Sequence, residues 1–367
     1  MNLKLIFLLM ISLTFGTLIG YYFRHVMSNS LSYLPNINLQ FDQHKTLKLG
    51  SHIQLIDFNR TITNNFTCIK SKILFDLFQT TFCLYDTKKD VYVSGTIMSY
   101  KIWEENLVTK ILRILLKNPD YAMIDIGANI GTYTMYSSSI GRKTISVECY
   151  QPNIDRLVRA IQIENVSKHI ILIGNAIYNQ SGEFLELSKD NSNIGGQGII
   201  TNETIEQSSL TSTGFRGEFL ELSKDNSNIG GQGIITNETI EQSSLTSTGF
   251  RVITTRFDDL YPILINNQIS NAIMKIDIQL SEIFLVQSGY KIFDSINIIF
   301  VQMEWSDIKL NRYYADFIIE FFTQRNYLPV ATNNCQILNS TTTNYTTWGT
   351  PHDIYWIKSN YYQICQT

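Results

Sequence analysis

From residue 122 to residue 358, short apolar runs rich in β-branched residues alternate with segments of helical character. The predicted strands are Ala122–Ile126, Thr144–Glu148, His169–Ile173, Ala272–Ile278, Ile296–Glu304, Leu328–Thr332 and Asp353–Lys358. Between them apolar residues recur at helical spacing, as in a segment from about Asn153 and in a helix predicted around Glu282–Phe293. Apolar strands separated by helices are buried on both faces, which is typical of a mostly parallel sheet. The predicted fold class is therefore α/β.

Composition sets two limits on what the chain can be. Hydrophobic residues make up 44% of the sequence and aromatic residues 12%, which is enough for a sizeable core and excludes global disorder. The net charge of −3 comes without a basic stripe that could displace counterions from phosphates. We therefore expect no nucleic-acid partner.

The N-terminus carries an uncharged stretch from Leu5 to Phe23. At about 1.5 Å per helical residue, this stretch spans roughly the ~30 Å hydrocarbon core of a bilayer. Bulky Tyr21 and Tyr22 stand where a cleaved signal peptide needs small residues, which favours a signal-anchor over a cleaved peptide or a buried helix. The sequence thus predicts a membrane anchor over residues 1–24, a polar stalk over 25–66 and a β/helical extension over 67–119, with short β-like runs between Cys68 and Ser94.

Two further patterns favour a body in the secretory lumen. Cys68 and Cys83 are close in sequence, as are Cys335 and Cys365, so two disulfides and one free thiol at Cys149 fit an oxidising compartment. Glycosylation sequons occur at Asn59, Asn65, Asn165, Asn179, Asn202, Asn237, Asn339 and Asn344. We expect a type II single-pass protein of the ER or Golgi. The absence of a Cys-x-x-Cys pair or clustered histidines argues against a structural metal site.

One segment is duplicated without a single change. Residues Gly182–Arg216 are repeated as Gly217–Arg251. Solenoid repeats diverge and come in threes or more, so two identical copies indicate a recent duplication or an assembly error. We interpret the segment as an excursion beside the sheet, where insertions are tolerated.

The strongest motif runs from Asp125 to Gly131, directly after a strand and before a helix. Gly127 and Gly131 permit a tight turn around Asn129, and the helix behind them presents free N–H groups. The glycine spacing differs from that of dinucleotide binders. An acid before the turn would repel a pyrophosphate but suits an ammonium group. S-adenosylmethionine (SAM) has that group, and a carboxylate that the backbone N–H groups could hold.

Glu148 ends the next strand. A carboxylate at this position can accept hydrogen bonds from both hydroxyls of a ribose, as in other nucleoside-binding α/β folds. Asp125 and Glu148 could each merely cap a helix, but both together after successive strands favour a ligand site at the strand ends.

The run Met123–Thr134 resembles motif I of class I methyltransferases, and the wider pattern from Asp90 to Lys358 resembles the FkbM-type SAM-dependent methyltransferases. Elements shared in order include Trp103-Glu104, Asn175-Ala176 and Met274-Lys275-Ile276-Asp277. The resemblance implies a seven-stranded, mostly parallel, Rossmann-like sheet over residues 120–360. It also implies SAM as cofactor, with Asn175 at its site, and methyl transfer to a hydroxyl, for which a glycan is the acceptor we expect.

The second family hallmark departs from the pattern. The family has Glu and Gly where this chain has Gln279 and Leu280, while Asp277 and Glu282 are retained. Gln cannot act as a general base, and Leu would exclude a positive φ that glycine permits. The candidate catalytic residues are therefore Asp277, Glu282 and Glu304. The alternative is a catalytically impaired, SAM-binding pseudoenzyme that acts as a membrane-anchored interaction protein.

Overall fold

The computed structural model describes residues 50–188, 196–200, 247–338, 345–349 and 352–366. The predicted anchor and the first part of the predicted stalk lie outside this part of the chain. Within the described ranges, no helix is both long enough and apolar enough to cross a membrane.

The described residues form thirteen strands and eight α-helices. The strands are β1 (Thr67–Lys70), β2 (Thr81–Leu84), β3 (Ala122–Ile126), β4 (Thr144–Val147), β5 (Ile170–Ile173), β6 (Ala176–Ile177), β7 (Phe184–Ser188), β8 (Ile199–Ile200), β9 (Ser247–Thr255), β10 (Asn271–Ile276), β11 (Asn297–Glu304), β12 (Tyr327–Ala331) and β13 (Asp353–Lys358). The helices are α1 (Val93–Tyr100), α2 (Glu105–Lys117), α3 (Thr132–Ser139), α4 (Gln151–Glu164), α5 (Tyr261–Asn266), α6 (Glu282–Ser288), α7 (Tyr290–Ser295) and α8 (Arg312–Thr323).

Seven strands form one central sheet in the order β5-β4-β3-β10-β11-β13-β12. Neighbours from β5 to β11 pair in parallel, whereas β13 is antiparallel to both β11 and β12. All five residues of β3 are buried, so the sheet is covered on both faces there. The predicted mixed α/β fold with a mostly parallel seven-stranded sheet is confirmed.

The helices between the strands form where apolar residues recur at helical spacing and can be buried together on one face. In α2, the side chains of Val108, Ile111 and Leu115 are buried, while Arg113 and Lys117 are exposed on the opposite side. The same pattern in α4 buries one side of that helix. Helices α2 and α4 thus each bury one face and leave the other to solvent, whereas α3 is buried along most of its length.

Two helical segments differ from the sequence prediction. The single helix expected around residues 282–293 is broken into α6 and α7 at Gly289, where a Cβ would lie 2.8 Å from the carbonyl oxygen of Leu285. Helix α1 begins at Val93, in a region for which the sequence predicted short β-like runs as far as Ser94. Two of its buried residues, Val93 and Ile97, are one helical turn apart, a signal too short to separate from a strand by pattern alone.

A second sheet lies beside the first and contains the start of the duplicated segment. Its strand order is β6-β9-β7-β8. Strands β7 and β8 belong to the first copy, and β9 begins in the last residues of the second copy. The remaining repeated residues, 189–195 and 201–246, lie outside the described part of the chain.

Residues 50–66, which the sequence assigned to the stalk, pack on the domain. Residues 54–56 run antiparallel along β5, with the N–H of Ile56 donating to the carbonyl of Leu172 at 2.9 Å and that of Gly174 donating to Gln54 at 2.7 Å. They cover the free edge of the central sheet, which would otherwise be open to pairing with another chain.

Both expected disulfides are present. Cys68 and Cys83 are bonded across the antiparallel pair β1–β2, and Cys335 is bonded to Cys365 near the C-terminus. Cys149 is the free cysteine of the described chain, as the sequence predicted.

Candidate functional site

A cavity of about 420 Å³ lies at the carboxyl ends of the central strands. Residues that line it follow the strands in their spatial order, from Ala176 after β5 to Glu148 after β4, Gly127 after β3, Asp277 after β10 and Glu304 at the end of β11. Parallel α/β sheets bind ligands at this edge, and the volume falls within the roughly 300–1,000 Å³ of small-molecule sites.

The two glycines of the motif are required for different reasons. Gly127 has φ +80°, and a Cβ there would lie 1.8 Å from the carbonyl oxygen of Asp277, so any larger residue would push β3 and β10 apart. Gly131 has φ +96°, and a Cβ would meet Leu157 Cδ1 at 2.3 Å. Gly127 therefore shapes the cavity wall, whereas Gly131 does not line the cavity and instead lets α4 pack closely.

The backbone N–H groups of the turn are already engaged within the protein. The bonds are Gly127 N and Ala128 N to Val147 O (2.9 and 3.0 Å), Asn129 N to Glu148 Oε2 (2.8 Å), Ile130 N to Asn129 Oδ1 (2.7 Å) and Gly131 N to Ala128 O (2.8 Å). The turn itself therefore leaves no N–H group for a ligand carboxylate, and the groups that the sequence analysis expected to be free are those at the start of the following helix. The first turn of α3 offers alternatives, because Thr132 and Tyr133 line the cavity and their N–H groups precede the first intrahelical bond.

Asp125 lies behind the turn and does not line the cavity. Its Oδ2 accepts hydrogen bonds from the N–H (3.0 Å) and the hydroxyl (2.6 Å) of Thr134, while Oδ1 is buried without a hydrogen-bond partner. Burial raises the pKa of Asp125, against the opposing effects of Lys275 and the Thr134 bonds. In this structure Asp125 fixes α3 onto β3.

Glu148 lines the cavity with its carboxylate held at both oxygens. Oε2 accepts from the N–H of Asn129 and Oε1 from that of Tyr150, each at 2.8 Å. The Asn153 side chain also hydrogen-bonds this carboxylate. A carboxylate has about four acceptor sites, so about one remains for a ligand. Burial raises the pKa of Glu148 to about 7, although the backbone bonds oppose the shift.

The Asn175 amide is occupied by the protein itself. Its Nδ2 donates to the carbonyls of His52 (2.9 Å) and Ile253 (3.1 Å), and its Oδ1 accepts from the N–H of Gln54 (2.8 Å). Asn175 therefore lines the cavity while its amide joins β9 and the segment along β5. The sequence analysis placed Asn175 at the site but could not show that its amide nitrogen and oxygen already have hydrogen-bond partners within the protein.

Lys275 is a site residue that sequence reasoning missed. The side chain is 6% exposed, and Nζ donates to the carbonyl of Gly127 at 2.8 Å and lies 3.3 Å from Asp277 Oδ2. Burial disfavours the ammonium group, but the carboxylates of Asp277, Asp125 and Glu104 outweigh burial and raise the pKa of Lys275. The sequence did contain a signal for this residue, because Lys275 stands within an otherwise apolar strand and a buried charge needs partners.

Gln279 bridges two of the predicted catalytic carboxylates. Its Nε2 donates to Asp277 Oδ1 at 3.0 Å and to Glu304 Oε2 at 3.3 Å. All three residues line the cavity. The amide therefore supplies donors between two acids, which a glutamate at the same position could not do while ionised.

Leu280 adopts a backbone conformation that the sequence analysis did not expect. Its backbone has φ 69°, and Gln279 before it has φ 49°, so both residues adopt the left-handed region. The expectation that Leu280 would exclude a positive φ is wrong, because the surrounding turn imposes this conformation. Such a residue costs on the order of 1 kcal/mol, which the fold tolerates at this site.

Glu282 points into the turn that follows β10. Its Oε1 accepts from the N–H of Ile278 at 2.9 Å, its side chain is buried, and it does not line the cavity. Burial raises the pKa of Glu282 to about 7. The structure therefore separates Glu282 from Asp277 and Glu304, which share the cavity.

The far end of the cavity is rich in acids and aromatic rings. Glu104 and Asp353 join Asp277 and Glu304 there, with Trp103 beside them. Glu104 accepts a hydrogen bond from the buried Tyr133 hydroxyl at 2.7 Å. The sequence analysis named Trp103-Glu104 only as part of a family pattern and Asp353 only as the first residue of a predicted strand. Within the described chain, no group of acids, histidines or cysteines has the geometry to hold a metal ion.

No protein-family model and no curated protein matches the sequence. Among solved structures, the chain is similar to precorrin-6y C5,15-methyltransferase from Geobacter metallireducens GS-15, with 8% sequence identity and a TM-score of 0.30. The match covers 72% of this chain and 90% of that chain. A likeness of this strength establishes neither a shared family nor a shared activity.

Proposed function

We propose that the protein is a SAM-dependent methyltransferase that acts on a hydroxyl group. The observation that carries this proposal is the layout of one cavity, in which Glu148 and the acid-rich end lie on the same sheet edge. Two strand spacings of about 4.8 Å separate β4 from β10, so a ligand whose ribose contacts Glu148 would reach Asp277 roughly 10 Å away.

The residues near Glu148 fit a nucleoside. Val147, Cys149, Ile177 and Ile199 give the cavity an apolar side, which suits a flat base. Glu148 retains about one acceptor site beside its bonds to Asn129, Tyr150 and Asn153, and a ribose hydroxyl is a donor that such a carboxylate would take.

The charge of the cavity fits a cationic cofactor. Four carboxyl groups, from Glu104, Asp277, Glu304 and Asp353, line the cavity, where Lys275 is their nearest cation, and burial raises the pKa of all of them except Asp277. The sulfonium and ammonium groups of SAM would favour the ionised forms of these carboxyl groups, whereas the diphosphate of a dinucleotide would disfavour them. Electrostatic complementarity thus favours SAM over a nicotinamide cofactor.

The fold supports the same assignment. A single antiparallel strand, β13, stands between β11 and β12 in an otherwise parallel sheet, which agrees with the class I methyltransferase fold. When bound, SAM would supply an electrophilic methyl group. The chain would bind and orient the acceptor, and orientation of this kind supplies much of the rate of a displacement reaction.

The acceptor we propose is a glycan hydroxyl. Trp103 and Tyr92 present aromatic surface at the cavity, on which the apolar face of a sugar can pack. Asp277 and Glu304 offer acceptors for its hydroxyl groups. The two disulfides support a setting in the secretory lumen, with the N-terminal segment as membrane anchor.

Isothermal titration of the purified protein with S-adenosylhomocysteine tests the cofactor assignment. We expect saturable binding, and no binding of NAD⁺ in the same cell because the cavity is acidic. The reverse preference, or no binding of either ligand, would refute the proposal. Transfer of labelled methyl groups from SAM to a panel of glycans then tests the acceptor class.

A pseudoenzyme is the second candidate, and the Gln279 bridge between Asp277 and Glu304 favours it. If this bridge silences the site, the double substitution Gln279→Glu with Leu280→Gly should gain methyl transfer while SAM binding stays unchanged. Equal activity of the wild type and the double variant would argue for an active enzyme that uses other carboxylates.

A further inference from the structure

A second cavity, of about 390 Å³, lies between the chain that precedes β1 and the helix α4. It is lined by residues 62–66 and Cys68 on one side and by Arg159 and Ile163 of α4 on the other. None of these residues lines the candidate functional site. We call this cavity the α4 groove, and its volume falls within the roughly 300–1,000 Å³ of sites that hold small molecules.

The chain that forms one wall of the α4 groove is fixed on the helix before and after the groove. Gln162 Nε2 donates to the carbonyls of Phe58 and Arg60, at 2.8 and 2.9 Å. The guanidinium group of Arg156 lies 4.5 Å from the centroid of the Phe66 ring. The groove between these two attachments is therefore held open by contacts of the folded domain.

The opposite wall combines an apolar side chain with a cationic one. Ile163 is 42% exposed and lies one helical turn after Arg159, which is also exposed. Within the described ranges, the Arg159 guanidinium group has no hydrogen-bond or ion-pair partner. The groove thus offers apolar surface beside unused N–H donors. An N-acetylated sugar matches both features, because its ring has C–H faces and its acetamido group has a carbonyl oxygen.

Asn65 belongs to the lining of the α4 groove and begins the sequon Asn65-Phe66-Thr67. It is exposed and lies in the irregular segment directly before β1. Among the described residues its side-chain amide has no hydrogen-bond partner, so folding does not occupy the nitrogen that a sugar would modify. A sugar attached at Asn65 would start at the groove itself.

We propose that an N-linked glycan on Asn65 occupies the α4 groove, with its first N-acetylglucosamine packed against Ile163 and its acetamido oxygen bonded to Arg159. In the attachment step, the Asn65 side-chain nitrogen bonds to the anomeric carbon of a lipid-linked oligosaccharide. The bond from that carbon to the lipid diphosphate breaks, and the amide loses one proton. The inference shares with the proposed function a setting in the secretory lumen but does not depend on methyl transfer.

The test uses the full-length protein from a secretory host, treated while folded with an amidase that cleaves the bond between asparagine and the first sugar. Mass spectrometry measures release separately at Asn59 and Asn65, because trypsin cleaves after Arg60 between them. Asn59 is the internal control, since it is an exposed sequon residue that does not line the groove. We expect release about tenfold slower at Asn65 than at Asn59 in the folded protein, because the linkage is accessible only when the sugar leaves the groove, and equal rates after denaturation.

A substitution in the wall identifies the groove as the cause of this protection. Ile163→Ser removes the apolar surface, and Ile265→Ser is the matched control, because Ile265 is 46% exposed on α5 and lies outside the groove. Release at Asn65 should rise to within about twofold of that at Asn59 in Ile163→Ser and stay slow in Ile265→Ser. Loss of the seated glycan in Asn65→Gln should lower Tm by about 2 °C relative to Asn59→Gln.

Three results would overturn the inference. They are an unmodified Asn65, equal release rates at Asn59 and Asn65 in the folded protein, and slow release at Asn65 that persists in Ile163→Ser. Binding of S-adenosylhomocysteine, which tests the proposed function, is measured separately, so the failure of either proposal can be told from the failure of the other.

Discussion

The affinity for S-adenosylhomocysteine should depend on pH through Glu148. Because burial raises the pKa of this carboxyl to about 7, only part of the population is ionised at neutral pH. Ribose hydroxyls donate hydrogen bonds, and the ionised form is the better acceptor. Affinity should therefore rise as the pH increases through 7, whereas a site with an ordinary carboxylate, already ionised at pH 6, would show no change over this range.

The magnitude follows from the ionised fraction. With a pKa of about 7, roughly one-eleventh of the free protein has ionised Glu148 at pH 6 and ten-elevenths at pH 8, which predicts a change of about tenfold in apparent Kd. The substitution Glu148→Gln should weaken binding about ten- to a hundredfold at pH 8, since hydrogen bonds to a charged group are worth roughly 1.5–3 kcal/mol. It should also abolish the dependence on pH.

Calorimetric titrations at pH 6, 7 and 8, in two buffers with different ionisation enthalpies, measure both the affinity and the protons released. Glu186→Gln is the control, because Glu186 is an exposed carboxylate on β7. Thermal melts of both variants confirm that the fold is retained. If the wild-type affinity is the same at pH 6 and pH 8, or if Glu148→Gln binds as tightly as wild type, the ribose assignment and its electrostatics are refuted.

Three further predictions concern stability and topology. Lys275→Met should destabilise the domain by about 3–5 kcal/mol, because it leaves buried carboxylates without their cation. Deletion of residues 217–251 should leave a folded domain about 1 kcal/mol more stable, since the first copy restores the β9 sequence and 11 of the 46 residues between β8 and β9 remain. In a secretory host, exposed Asn59 and Asn65 should carry glycans, and the unreduced, denatured protein should expose one reactive thiol, at Cys149.

Each of these three predictions can be measured directly. Denaturant unfolding of Lys275→Met, compared with that of the exposed-site variant Lys88→Met, measures the predicted loss of stability, and equal unfolding midpoints of the two variants would contradict it. Thermal melts of the deletion variant followed by circular dichroism measure its predicted stability, and an aggregated product would show that the second copy belongs to the core. Endoglycosidase treatment tests for the predicted glycans, and thiol counting tests for the single free cysteine. An unchanged mobility together with five reactive thiols would exclude a luminal body.

The sequence was sufficient for the strands of the central sheet because their signal is local. Runs such as Ala122–Ile126 and Asp353–Lys358 are bounded by turns and match the observed strands residue for residue. The sequence was insufficient for segments whose structure depends on contacts with distant parts of the chain. Residues 54–56 contain two apolar side chains, Leu55 and Ile56, in a run too short to indicate a strand, yet the free edge of β5 supplies their hydrogen-bond partners.

In the candidate site, too, some features could be predicted from the sequence and others could not. The sequence alone determined that a glycine turn and Glu148 stand at successive strand ends, because strand and turn patterns are short-range. Only the tertiary structure decided that Asp125 faces Thr134 and that Asp353 lies opposite Glu304. The physical reason is that the direction of a side chain and the pKa of its carboxyl depend on burial and on charges from distant parts of the chain, which no local pattern records.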